Sequence, residues 1–324
     1  MKSMLGFRLG VAALACAGFL AHGPAGAQDK FPERPITMIV PWGPGGSTDV
    51  SGRALAKAAE ALLGQPIVVV NKPGASTMIG MGELANAKPD GYTIGTLSST
   101  SYMLKAQGRQ LPYDAVEAFS YISYYGDNLI GIAVLADAPW KSLAELIADG
   151  KAHPGKIKYG TAGVGSTQHL TTEALMLSSG AKFVHIPQKG SAGSMPALLG
   201  KHVDFITEVS VWAPFVAEGK VRLLAVSTPK RTQAYPDVPS LGELGYNSRR
   251  SLQAIIGPAG MPEPVRLKLE GAFRKALDNE GFRNAMKTLH MEVIDLAGPD
   301  VKKLVQSELQ HATELVQRMK AAGN

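Results

Sequence analysis

Two stretches of the sequence place glycines and hydroxyls where an anion could be held. The first is Val40-Pro41-Trp42-Gly43-Pro44-Gly45-Gly46-Ser47-Thr48-Asp49, and the second is Tyr159-Gly160-Thr161-Ala162-Gly163-Val164-Gly165-Ser166-Thr167-Gln168-His169. Each runs from the end of a short apolar strand into a helical pattern. At such a junction the first backbone N–H groups have no intrahelical partner, and the helix dipole favours negative charge. Gly45, Gly46, Gly163 and Gly165 let a ligand approach the backbone closely. The hydroxyls of Ser47, Thr48, Ser166 and Thr167 add donors, and Trp42 is expected either to roof a pocket or to pack against the first domain. Two such cups facing each other would grip an anion from both sides. The plainer alternative is a pair of tight strand-to-helix turns with ordinary caps.

Other chemistry finds little support. Neither loop ends in the Gly-Lys-Ser/Thr of a phosphate-binding loop, and neither is a Gly-x-Gly-x-x-Gly dinucleotide fingerprint. Ser166 and His169 stand three residues apart and raise the alternative of a secreted serine hydrolase. The Gly-x-Ser-x-Gly elbow that would expose such a nucleophile is missing, as is a third partner. The histidines at 153, 169, 185, 202, 290 and 311 show no metal-ligand spacing. The expectation is a binding protein with no catalytic residue, no metal and no cofactor.

The elements that must position these loops alternate in the manner of an α/β fold with parallel strands. Strands are expected at 36–40, 67–71 and 92–97, with helices at 48–63 and 79–86; Ser98 follows the third strand. A similar unit returns about 120 residues later, with strands at 156–160, 183–186, 203–207 and 221–227 and helices at 166–178 and 192–199. Three amphipathic helices close the chain, at 262–277, 282–289 and 300–319. The arrangement expected is two domains joined by short crossings near 123–129 and 247–254, with hinge motion between them. Residues 28–127 and 250–324 would form the first domain and 128–249 the second. Arg249 and Arg250 fall at the second crossing, as solvated hinge residues or as a clamp for a carboxylate.

The N-terminus adds a destination. Lys2 and Arg8 precede the uncharged apolar run Leu9 to Leu20, and Ala25-Gly26-Ala27 follows. That is the order of a secretory signal peptide, with cleavage expected after Ala27; lipoprotein processing at Cys16 is the rival. Cys16 is the only cysteine, so the mature chain would carry no disulfide. Its length allows large cores without staples. The formal charge of +6 falls to +4 without Lys2 and Arg8, and the basic residues are scattered. Nucleic-acid binding would call for a clustered stripe, whereas a mild positive balance fits an anionic ligand.

Taken together, the loops resemble those of the Bug-type solute receptors of tripartite tricarboxylate transporters. The opening segment 40–49 resembles the family's signature. Val70-Asn71-Lys72-Pro73-Gly74-Ala75, Ala87-Lys88-Pro89-Asp90-Gly91-Tyr92-Thr93, the loop 159–169, His185-Ile186-Pro187-Gln188-Lys189-Gly190 and Pro236-Asp237-Val238-Pro239-Ser240 follow in the same order. The resemblance spans the mature chain. It implies a periplasmic, monomeric, two-domain protein with a type II-like fold that closes on a carboxylate, of the dicarboxylate or aromatic-acid class, and hands it to membrane permease subunits. A sensor that presents its closed form to a signalling receptor would look the same.

Carried over, the ligand contacts fall on Gly45, Gly46, Ser47 and Thr48 and on Gly163, Gly165, Ser166, Thr167 and His169, with Ser76 and Thr77 a poorer match. Gln188 stands where the family often has tyrosine. Glu208, after the strand ending at Thr207, would repel an anion; it is expected either to meet a cation on the ligand or to be paired internally. Asp49 is expected to brace the first helix rather than to touch the ligand.

Overall fold

The computed structural model describes residues 31–321; the expected signal peptide, its cleavage point and Cys16 lie outside these residues. The first lobe begins with β1 (Ile36–Val40), α1 (Ser47–Leu63), β2 (Ile67–Asn71), α2 (Met78–Ala85), β3 (Thr93–Thr96), α3 (Ser99–Ala106) and β4 (Phe119–Asn128). The second lobe follows as β5 (Ile130–Leu135), α4 (Leu143–Ala152), β6 (Lys158–Thr161), α5 (Thr167–Ser179), β7 (Val184–Pro187), α6 (Ser194–Leu199), β8 (Phe205–Val209), α7 (Ala213–Ala217) and β9 (Val221–Val226). The chain then returns with β10 (Ser251–Pro258), α8 (Glu263–Ala276), α9 (Glu280–Thr288), β11 (Val293–Ala297) and α10 (Gly298–Ala321).

The two sheets repeat one plan. The first has the order β11-β4-β10-β3-β1-β2 and the second β7-β6-β8-β5-β9. In each, the lobe's opening parallel strand is flanked by the next two: β1 by β2 and β3, β6 by β7 and β8. Beside the third lies an antiparallel strand that has just crossed from the other lobe, β10 in the first and β5 in the second. Each sheet is thereby completed by the strand that arrives over the hinge. Two α/β lobes laced together in this way make the bilobed fold of periplasmic binding proteins.

Local sequence accounts for the elements that carry the site. In α1 the apolar stripe Leu55, Ala56, Ala59 and Leu63 is buried, and Gly64 ends the helix at φ +71, returning its N–H to Glu60 O. Strand β1 is buried at nearly every position because it sits inside a sheet covered on both faces. Helix α10 packs against β4 and α3, and α8 and α9 pack against α1, so the closing helices belong to the first lobe.

The crossings are shorter than expected. Residues 123–128 are not connector but the end of β4, and the chain passes to the second sheet over Leu129 alone. Likewise 251–254 open β10, which pairs with β4 from Ser251↔Asn128 to Pro258↔Phe119. Arg249 is buried rather than solvated. Arg250 places Nε and Nη2 at 2.9 and 2.7 Å from Asp127 Oδ2, tying one crossing to the other.

Candidate functional site

A small cavity of about 50 Å³ lies where the two lobes meet. Its first-lobe wall is built from two helix starts. Gly46, Ser47 and Thr48 come from the start of α1, and Ser98, Ser99 and Thr100 from that of α3. Neither helix has a side-chain cap on its N-terminus. Both dipoles and both sets of first-turn N–H groups therefore remain available to a ligand. Ser47 Oγ and Ser98 Oγ are buried with no hydrogen-bond partner among the described residues.

The hinge supplies a third wall: Asn128 at the end of β4, with Ser251 and Gln253 at the start of β10. Asn128 Nδ2 stands 3.3 Å from Ser251 Oγ and 3.4 Å from Thr48 Oγ1, while its Oδ1 is buried and unpartnered. The second lobe contributes Thr167 and Gln168 from the start of α5, and Lys189 to Ala192 from the loop after β7. The Lys189 ammonium makes no ion pair among the described residues. The N-terminus of α5 differs from the other two, because Ser166 Oγ accepts the His169 N–H at 3.2 Å and caps it.

Buried polar groups normally find partners, and an orphaned hydroxyl or amide oxygen costs about 1–3 kcal/mol. Three such atoms facing one cavity, beside two uncapped helix starts, mark a site shaped for a polar occupant. Of the residues singled out from sequence, the cavity brings together Trp42, Gly46, Ser47, Thr48, Ser98 and Thr167.

The others take supporting places. Gly45 turns at φ +83 and gives its N–H to Asp49 Oδ2 at 3.0 Å. Asp49 also accepts from Arg53 Nε at 2.9 Å and Asn71 Nδ2 at 2.8 Å, and Asn71 holds Trp42 O. Asp49 thus braces the loop, as expected. Burial would raise its pKa, but these hydrogen bonds outweigh that and hold it below the ordinary aspartate value. Ser76 donates from Oγ to Val164 O at 3.1 Å, joining the lobes at the cleft rim, and Thr77 is buried beside it. Gly163 donates to Thr161 Oγ1, and Gly165, at φ +79, donates to His169 Nδ1. Gln188 folds back, with Nε2 bonded to Ile186 O.

His169 stacks on His185 with ring centroids 4.1 Å apart, and His185 stacks in turn on Tyr159 at 4.8 Å. Burial, and then the neighbouring His185, drive the His169 pKa down to about 3; burial takes His185 down to about 4. Both rings are neutral at ordinary pH. The His169 ring accepts from Gly165 N–H rather than from Ser166, so the pair is a helix cap and not a nucleophile with its base. Glu208 lies inside β8, fully buried, and is paired internally by Gln168, Ser194 and its neighbour's backbone.

Sequence reasoning missed Asn128, Gln168, Lys189, Ser191, Ser251 and Gln253. Lys189 offered a signal, as a lone cation in a loop at the carboxyl end of a strand. The hinge residues offered none, because Gly126-Asp127-Asn128 has the composition of a turn.

Fold and cavity define a bilobed solute-binding protein. Residues 52–321 match the model of the tripartite tricarboxylate transporter family receptor, TctC, and the chain belongs to that family. It is 39% identical over 316 residues to a protein encoded in the gbd 5' region of Cupriavidus necator, a match covering 97% of this chain and 94% of that one. The solved periplasmic binding protein BugD superposes with a TM-score of 0.83 at 31% identity, over 90% of this chain and 99% of that one. MatC from Rhodopseudomonas palustris with bound malate gives 0.82 at 27%, over 88% and 100%. Rpa4515 of R. palustris with adipate gives 0.83 at 25%, over 90% and 99%. The protein is a periplasmic solute-binding receptor.

Proposed function

We propose that this receptor captures a small carboxylate of the dicarboxylate or aromatic-acid class in the cleft and delivers it, as a monomer, to the permease subunits of a tripartite tricarboxylate transporter. The observation that carries this is the pair of unpartnered hydroxyls, Ser47 Oγ and Ser98 Oγ, set at two uncapped helix starts. A carboxylate accepts from both hydroxyls and from first-turn N–H groups, and it gains from both dipoles. Lys189 adds a cation from the opposite lobe. Relatives that hold malate and adipate support the same class. The described residues divide into one lobe running to Asn128 and resuming at Arg250, and a second of 129–249, and the lobes close by bending at Leu129 and at 247–250. The mature chain begins at Gln28, after export and cleavage.

The test is a thermal-shift screen of protein unfolded and refolded to strip carried ligand. A carboxylate at about 100 times its Kd stabilises by about 2.7 kcal/mol, a rise of several degrees at this size. A shift with an acid that vanishes with its amide supports the reading. No shift with mono-, di- and tricarboxylates or aromatic acids, from protein shown to be folded, refutes it.

A further inference from the structure

Behind the second-lobe wall of the cavity lies a carboxylate that the proposed function does not use. Glu208 has no exposed surface. Its Oε2 accepts from Val209 N at 2.9 Å and from Gln168 Nε2 at 3.3 Å, and its Oε1 accepts from Ser194 Oγ at 3.0 Å. No cation pairs with it among the described residues. A buried carboxylate without a counter-ion is a costly group, and burial pushes its pKa up to about 7 against the pull of those donors. A leucine would fill the same strand position without that cost.

Its donors show what it does. Gln168 lines the cavity, so the carboxylate holds a group of the ligand-facing wall from behind. A glutamine amide has a donor end and an acceptor end. The Glu208 oxygens accept from every donor that reaches them, and from Gln168 they take the NH2 end. The amide's Oε1 is turned away from Glu208 and receives no donor among the described residues. The first lobe presents the opposite polarity, with hydroxyls and helix N–H groups.

We infer that Glu208 is a positioning residue that fixes Gln168 with its carbonyl oxygen presented to the cleft, and that the ligand therefore carries a hydroxyl or ammonium donor on its carbon skeleton as well as a carboxylate. This rests on the carboxylate reading above. An unsubstituted acid leaves Gln168 Oε1 desolvated and unpaired on closure, which corresponds to about a tenfold to hundredfold loss of affinity.

The test is calorimetry on refolded protein with matched acids differing at one carbon: succinate with malate and aspartate, glutarate with 2-hydroxyglutarate and glutamate, adipate with 2-hydroxyadipate, and phenylacetate with mandelate. In the frame that binds, the hydroxy or amino member is expected to bind at least about tenfold more tightly. Gln168→Met removes the acceptor at similar volume, and Glu208→Gln lets the Gln168 amide turn over. Both are expected to bring the ratio within each pair close to one, with the unsubstituted acid binding more tightly once the unpaired oxygen is gone. That ratio is a readout that loss of packing alone does not move. Should Glu208→Gln fail to fold, Gln168→Met decides alone. Equal binding within every pair, or a preference that survives in Gln168→Met, overturns this inference and leaves the carboxylate reading standing. No binding by any of these acids overturns both.

Discussion

The two glycine loops that meet at the cleft have the same plan and are held by different forces. The first, 41–49, is fixed by charge: Asp49 gathers Gly45 N–H, Arg53 and Asn71, and Asn71 reaches Trp42. With the bracing done from behind, α1 needs no side-chain cap, and its first turn stays free for a ligand. The second loop, 161–169, is fixed by neutral groups: a Ser166 cap and the stack of His169 on His185. Gly165 faces the first lobe, where a Cβ would lie 2.5 Å from Leu104. Loops of like sequence are thus secured differently: the first keeps its helix start uncapped at the cavity, while the second, which lends Thr167 and Gln168 to the same cavity, caps its helix and packs Gly165 against the other lobe.

The largest expected effect comes from cutting the charged brace. Asp49→Ala takes the shared acceptor from the Gly45 N–H, Arg53 Nε and Asn71 Nδ2, leaving Arg53 only its bond to Asn71 and Asn71 only its bond to Trp42 O. Removing one partner of a buried pair costs about 3–5 kcal/mol; Arg53 is half exposed, so about 2–3 is expected. Thermal unfolding should fall by roughly 5–10 °C, and calorimetry should show a loss of ligand affinity as Gly46 to Thr48 loosen. Ser166→Ala, at the equivalent place in the second loop, loses only a cap, about 1 kcal/mol. Equal losses from the two variants would contradict the division between the loops.

Acid should separate the loops next. The folded pKa values of His169 and His185 lie below 6.5, so the unfolded chain binds more protons, and stability is lost as pH falls through the window from 6.5 toward about 4 and 3. By pH 5 the loss is roughly 2 kcal/mol for His169 and less for the half-buried His185. Glu208 works in the opposite sense: its pKa is raised from 4.5 to about 7, so its burial penalty eases as pH drops between those values. Asp49, held below 3.8, is silent throughout this range. Glu173, which faces His169 Nε2 at 3.5 Å and whose pKa burial raises, acts in the same sense as Glu208. Between pH 7.5 and 5, Glu208→Gln should therefore lose more stability than the wild type and His169→Phe less. An unchanged slope in His169→Phe would remove the buried neutral stack from the account.

The same contrast shows what could be read in advance. The first loop and α1 are legible because strand, glycines, hydroxyls and amphipathic helix follow in order, each a local signal. The second loop gives equal local signals, but its use depends on Leu104 and Gln107 of the other lobe, which no local pattern reports. The hinge was misread for a related reason. Phe119–Asn128 is buried on both faces, so it lacks the alternation of a strand, and its end, Gly126-Asp127-Asn128, has the composition of a turn. Taking that stretch for connector hid Asn128, and with it Ser251 and Gln253, from the candidate site.

Gly165→Ala tests the fitting role by itself. The residue lies at φ +79, a conformation that costs alanine about 1 kcal/mol, and its Cβ would press on a flexible Leu104 end across the cleft. The strain falls on the closed form. Affinity should drop about tenfold, with small-angle scattering showing a more open protein at subsaturating ligand. Gly46→Ala makes the complementary comparison: φ is ordinary and its nearest neighbour is 4.0 Å away, so the fold should tolerate it. Its methyl instead enters the ligand's space, so affinity should fall with no change in the free protein's shape.

The smallest effect is expected at the rim. Ala75, Ser76 and Thr77 follow one another at φ +47, +51 and +76, a run of left-handed residues without glycine. Such strain persists only where surrounding contacts hold it, and one of those contacts is Ser76 Oγ to Val164 O across the cleft. Ser76→Gly removes about 1 kcal/mol of backbone strain and also an exposed hydrogen bond of similar size. Stability should shift by less than about 0.5 kcal/mol. The two terms act on different states, however: the strain is relieved whether the lobes are apart or together, whereas the hydrogen bond exists only when they meet. Calorimetry should therefore find ligand affinity reduced by about two- to threefold in a variant whose melting temperature is nearly that of the wild type. If affinity were unchanged as well, the Ser76 bond would contribute nothing to closure, and the joining of the lobes would rest on the Gly165 side of the rim.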